Sequence, residues 1–289
     1  MNQDLLAADT AMGPVTLLVD DLDAQTRYYR DAVQLSVLGA DGATVTLGRD
    51  TTPIVILQHS PGLAHRGPHD AGLFHTAIVF QSQASLAAAI FSVARYAPGT
   101  FTGSADHLVS QAFYFTDPEG NGIELYWDRD RSTWSWTHGQ VEMDTLYLDP
   151  NQFLREHLTE EATAQPNFGA ASVGHVHLQV GDIASAREFY VNRLGFDATA
   201  SLGTSALFVS AGGYHHHMAM NTWKSRGAGR RRLTLGLGLV RIDVPSTDDI
   251  ASLTDRLNFH GVQTRDDGHT VEFDDPWANR ILVRTATAA

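Results

Sequence analysis

Apolar and polar positions alternate along residues 122–127, and the alternation singles out one acid. Ile123, Leu125 and Trp127 share a face that reads as core, whereas Gly122, Glu124 and Tyr126 share the other. A carboxylate buried without a compensating cation costs several kcal/mol, so Glu124 calls for a metal, an arginine or a cleft. Strands of similar character open at Val15, at His75 and at His175. After the last of these, Asp182 reads as a helix cap, and Ile183, Ala186, Phe189 and Tyr190 form an apolar stripe ending near Gly195. Residues 207–209 and 215–220 then read as strands separated by Gly212 and Gly213, giving a unit of strand, helix and about three strands.

The unit recurs. Residues 15–22 and Tyr28-Tyr29 return as residues 176–183 and Phe189-Tyr190, and Asp117-Pro118-Glu119-Gly120-Asn121 returns as Asp275-Pro276-Trp277-Ala278-Asn279. The chain is a duplication, and because residues 75–80 begin a strand and helix as residues 15–30 do, each half divides again into two modules. Residues 1–130 hold modules one and two, and residues 171–289 hold modules three and four. Residues 131–170, with Trp134, Trp136 and Pro166, read as a connector that is helical in places between 146 and 157.

Composition narrows the chemistry. The chain has 289 residues, 43% of them hydrophobic, and a formal net charge of −13, which opposes contact with nucleic acid or an anionic membrane surface. The local exception, Arg226, Arg230, Arg231 and Arg232, sits among glycines and reads as a solvated loop. With no cysteine, thiol catalysis and cysteine metal sites are excluded, so any metal uses His, Asp or Glu. No apolar run approaches a membrane span and the N-terminus shows no signal pattern, so a soluble cytoplasmic protein is expected.

Four modules of strand, helix and three strands, ending in Asp-Pro turns, resemble the vicinal oxygen chelate superfamily, which includes glyoxalases, bleomycin resistance proteins and dioxygenases. The resemblance implies an α+β fold of four βαβββ modules forming two open-barrel halves, with metal ligands drawn from the first and last strands of modules. The first-strand slots here are Pro14, His75, His175 and Leu239, and the last-strand slots of modules two and four are Glu124 and Leu282. His75, His175 and Glu124 thus form the set of two imidazoles and a carboxylate that leaves positions open on Fe(II), with Mn(II) an alternative. His177 faces the same side as His175 and is either its rival as ligand or a lining of the substrate pocket; Tyr126, on the face of Glu124, is a further substrate contact.

Residues 106–118, Asp-His-Leu-Val-Ser-Gln-Ala-Phe-Tyr-Phe-Thr-Asp-Pro, resemble the segment that precedes the ligand Glu in type I extradiol catechol 2,3-dioxygenases. This implies that His107 and Tyr114 stand close to substrate and oxygen, although Leu108 replaces the usual glycine. The run His215-His216-His217 resembles the paired histidines of those enzymes, one of which acts as acid and base; strand alternation sends His215 and His217 to one face and His216 to the other, and His217 is the first choice for that role, then His216. Extradiol enzymes usually carry their ligands in modules three and four. The set found here meets in one cavity only if module two packs on module three and module one on module four. The implied activity is cleavage of an aromatic diol by O2 to a muconic semialdehyde, in a homo-oligomer. A glyoxalase-like isomerase and a metal-free binding protein are the alternatives.

Overall fold

The computed structural model describes residues 5–165 and 167–286; Pro166 of the connector lies outside the described residues. Each module opens with a strand, turns through a capped helix and returns through three antiparallel strands, the last of which pairs parallel with the first. Module two comprises the strand Gly72–Phe80, the helix Gln83–Tyr96 and the strands Phe101–Asp106, Ser110–Thr116 and Gly122–Asp128. Its helix starts at Ser82, whose hydroxyl accepts from the Ser85 amide in a capping box that satisfies two free N–H groups. Module three comprises Ala171–Gln179, a helix begun at Asp182, and the strands Asp197–Leu202, Ala206–Ser210 and Met218–Asn221.

Two sheets result, and each joins modules from both sides of the connector. In one, the first strands of modules two and three lie side by side, antiparallel, at the centre of eight strands. In the other, the first strands of modules one and four, Val15–Val19 and Gly236–Val244, do the same. This is the pairing that the ligand set requires. Helices cover one face of each sheet: Leu86, Ile90 and Val93 join Phe113, Ile123 and Leu125 in the core, as the alternation of residues 122–127 implies. The opposite face of the module two–three sheet is left to line a cavity of about 1210 Å³.

The connector does more than join halves. Its hairpin, Trp136–Thr137 against Gln140–Val141, and the residues up to Thr145 form one wall of that cavity. The helix Pro150–His157 falls within the stretch expected to be helical and packs Phe153 against Phe113. Of the basic loop, Arg226, Arg230 and Arg232 are exposed as expected, whereas Arg231 is half-buried, its guanidinium donating to the Leu237 carbonyl and to Asn279 Oδ1, because a buried carbonyl and amide need donors that water does not reach. No described helix is long and apolar enough to cross a membrane.

Candidate metal centre and its cavity

Strand register assembles the centre. His175 lies opposite Ala77, and Ala77 opposite Glu124, so the three form one row across the sheet; His75 occupies the next row, between His177 and Gly122. Glycine at 122 is required by close approach, since a Cβ there would sit 2.0 Å from the Phe74 carbonyl oxygen. Nε2 of His75 and Nε2 of His175 lie 3.0 and 3.2 Å from the same oxygen, Glu124 Oε2. The three donor atoms lie within 4.8 Å of one another, and all three side chains are buried.

These residues fit a divalent ion. Ligand bonds of ~2.1 Å at right angles leave donors about 3.0 Å apart, close to the separation of each imidazole nitrogen from the carboxylate oxygen. His75 Nε2 is buried yet makes no hydrogen bond of acceptable angle, although it lies 3.0 Å from the carboxylate. Burial opposes the charge on Glu124, but His175 and His75 beside it hold its carboxyl well below the usual range. Burial pushes the His175 imidazole down to about 4 in spite of Glu124. At neutral pH the pair is a carboxylate and a neutral imidazole, the protonation states a metal needs. His177 is close by, but its Nε2 accepts from Asn221 Nδ2 at 3.0 Å, so it lines the cavity and is not one of the three clustered donors.

The histidine run is not a strand. Gly212 and Gly213 take φ of +60° and +69° and turn the chain, and the strand begins only at Met218, so alternation does not apply to residues 215–217. The preference for His217 is accordingly corrected. His217 Nδ1 is used by the Ala211 amide at 3.2 Å, and the ring stacks towards Phe196, outside the cavity lining. His216 lines the cavity, its ring centroid 4.1 Å from that of His175.

Behind His216 runs a chain of hydrogen bonds that engages its Nδ1. The Asp128 carboxylate accepts from His215 Nε2 at 2.9 Å and from the Tyr214 hydroxyl at 2.7 Å. His215 Nδ1 lies 2.8 Å from His216 Nδ1, so one of the two rings donates to the other. His216 Nδ1 is thus engaged behind the ring, and Nε2 is the nitrogen left for the cavity. Asp128 continues the alternating face of Glu124 and Tyr126, the signal by which the sequence could have yielded it. Tyr126 itself does not reach the cavity; it is fully buried under His175, its hydroxyl 2.6 Å from that of Tyr214, which corrects the expectation of a substrate contact.

His107 and Tyr114 both line the cavity. The Asp144 carbonyl accepts from His107 Nδ1 at 2.7 Å, which leaves Nε2 to accept from the Tyr114 hydroxyl at 2.6 Å. Burial, and then Glu124, push the Tyr114 phenol well above its ordinary value, so it stays protonated. Leu108 holds the φ of +70° that a glycine would adopt freely, steadied by its amide on Asp106 Oδ1 at 2.9 Å. Other lining residues, among them Arg66, Phe74, Gln179, Phe208, Met143 and Trp223, lie mostly on loops and strand ends that carry no periodic signal.

Comparison with known proteins agrees with this geometry. A profile of the glyoxalase/bleomycin resistance protein/dioxygenase superfamily matches residues 172–282. The chain is 33% identical over 273 residues to a Bacillus subtilis (strain 168) protein named catechol-2,3-dioxygenase, covering 93% of this chain and 94% of that one. A solved structure from Bacillus subtilis subsp. subtilis strain 168, described as a candidate dioxygenase, matches with a TM-score of 0.66 at 14% identity over 99% of this chain and 87% of that one. Glyoxalase I from Zea mays matches with a TM-score of 0.58 at 16% identity, over 96% of this chain and 92% of that one. The structural likenesses establish a common fold, and the near full-length sequence relationship establishes kinship: the chain belongs to the glyoxalase/bleomycin resistance protein/dioxygenase superfamily.

Proposed function

We propose that this protein is an extradiol ring-cleaving dioxygenase, which binds an aromatic vicinal diol at a mononuclear Fe(II) or Mn(II) site and inserts both atoms of O2 beside the hydroxyls to give a muconic semialdehyde. The observation that carries this reading is the set His75, His175 and Glu124, three donors within 4.8 Å on the wall of a cavity that also receives His216, Tyr114 and His107. Identity of 33% with a protein named catechol-2,3-dioxygenase supports it.

Held by His75, His175 and Glu124, the ion supplies Lewis acidity that favours the ionised diol, and redox capacity towards O2. The protein supplies proton handling and position. His216, its Nδ1 engaged with His215, presents Nε2 to take a proton from one hydroxyl and to return it when the ring opens. Tyr114, its own proton committed to His107, offers oxygen lone pairs to the other hydroxyl. Phe74, Phe208 and Trp223 give the aromatic ring apolar walls. Across the sheet, Met218–Asn221 contains no acid, so this strand provides no second carboxylate to serve as the base of a glyoxalase-like isomerisation.

The test is anaerobic loading with Fe(II), then catechol and air. One O2 consumed per diol with a yellow ring-opened product is expected. Fully metal-loaded protein that takes up no oxygen with any of a panel of diols would refute the assignment.

A further inference from the structure

The cavity extends well beyond the metal donors along the strand Ala171–Gln179. His175, His177 and Gln179 all line it, and at ~3.3 Å per residue Gln179 lies about 13 Å from His175. Between them stands an aromatic sleeve. The Phe74 ring is 5.1 Å from His75, 4.9 Å from His177 and 5.3 Å from Trp223, centroid to centroid.

The sleeve ends in positive charge. Arg66 donates through Nη1 to the Asp70 carbonyl at 2.9 Å and to the Gln179 side-chain oxygen. Its Nε and Nη2 have no hydrogen-bond partner among the described residues, and the side chain is half-buried. Lys224 lines the same end. Arg231 stands behind: its Nη1 and the Arg66 Cδ lie 3.2 and 3.0 Å from the point a Cβ on Gly72 would occupy. Arg66 and Arg231 are bound to carbonyls and amides, and among the described residues no carboxylate forms an ion pair with either.

Two loops at corresponding places in the duplication build this end. One joins module one to two, the other module three to four. They are fastened by the Leu235 amide on the Ala64 carbonyl at 3.0 Å and by His69 Nδ1 on the Lys224 carbonyl at 2.8 Å. The other carboxylates of the lining, Glu142 and Asp144, belong to the connector wall. In a chain of net charge −13, two clustered guanidiniums mark a local preference against the general field, with Asp70 near Arg66 and Asp274 and Asp275 near Arg231 but none of them in an ion pair with either.

We infer that this end of the cavity is a subsite for a carboxylate carried on a side chain of the aromatic substrate, received by Arg66 through Nε and Nη2 with Lys224 adding charge. The reacting end rests on the dioxygenase reading above; the carboxylate subsite does not. A substrate so defined is an aryl diol whose acidic tail spans about 10 Å, since the strand places the two ends about 13 Å apart before side chains reach inwards.

Calorimetric binding of 6-phenylhexanoate and of 6-phenylhexan-1-ol to the metal-loaded protein tests this, because the pair differs only in the terminal group. The acid is expected to bind at least tenfold more tightly. That advantage should shrink as salt rises from about 50 to about 500 mM, fall below about threefold in Arg66→Gln, and be partly lost in Lys224→Ala. Arg66→Gln retains an amide donor for the Asp70 carbonyl, and Lys224→Ala alters an exposed side chain, so a folding defect in one does not silence the other. Equal binding of acid and alcohol, or an advantage that survives in Arg66→Gln, overturns the subsite. Acid preference without cleavage of either catechol or 6-(3,4-dihydroxyphenyl)hexanoate sustains the subsite and rejects the dioxygenase. Cleavage of catechol with no acid preference rejects the subsite alone.

Discussion

Glu124 sits fully enclosed between two imidazoles, a position that strands of ordinary composition give to an apolar residue. Glu124→Ala and His75→Ala each remove one of three donors, so metal affinity should fall by 100-fold or more, read as metal content after dialysis. Wild-type metal content in Glu124→Ala would show that the ion is held elsewhere. The two neighbouring histidines separate by role. His216→Ala should retain metal and lose 10²–10⁴ in kcat, whereas His217→Ala, which removes an acceptor for the Ala211 amide, should lower stability by about 1–2 kcal/mol with kcat little changed. Equal loss of kcat in both would dissolve the distinction. Glu124, His75 and His175 were legible in the sequence because the family resemblance points to first and last strands and each lies inside a regular strand, where facing follows from counting. His216 was not, because two left-handed glycines break the count just before it.

At the level of elements, the same contact appears twice. Tyr29 of module one donates to Asp117 Oδ2 at 3.2 Å, and Tyr190 of module three donates to Asp275 Oδ2 at 2.9 Å. Each Asp-Pro turn is thereby tied to the helix of the preceding module, which explains why those residues recur in the repeat. The turn at residues 106–110 carries strain, because Leu108 occupies a φ of +70°. Leu108→Gly should raise stability by about 0.5–1 kcal/mol in denaturant titration; a loss of stability would mean that the leucine side chain holds the loop. The strand and turn bearing His175, His177, His216 and His217 give the metal-free protein an acid-sensitive core. Burial lowers all four imidazoles, His175 to about 4 and His217 to about 3. Their folded values lie below the unfolded value of about 6.5, so the unfolded chain binds more protons in that window and stability falls as pH drops. Asp117 and Asp275, raised by burial, act in the opposite sense in acid but are outnumbered. Unfolding of metal-free protein between about pH 7 and 4.5 should therefore lose several kcal/mol, and a flat profile would show that these rings are hydrated.

For the whole molecule, the decisive fact is that both sheets cross the connector. His75 and Glu124 come from one side of it and His175 from the other, joined by the antiparallel pairing of Gly72–Phe80 with Ala171–Gln179. Arg49 reinforces this join, buried at 1% exposure with Nη1 on the carbonyls of Phe168 and Gly169 at 2.6 and 3.0 Å. Expressed separately, residues 1–150 and 151–289 should each fail to bind metal, and co-expression should restore one site per pair, measured by metal content of the purified complex. Metal retained by either half alone would contradict the shared centre. By itself the sequence determined the modules, most of their helices and strands and the duplication, because those depend on periodicity, capping and register within single strands, and the family resemblance then picked out the three candidate donors. Which modules pair followed only from requiring the donors to meet. The connector's place as a cavity wall, the turn that selects His216 and the arginines gathered at the far end were decided by tertiary structure alone, because they depend on loops whose positions are set by packing between distant segments and leave no periodic trace along the chain.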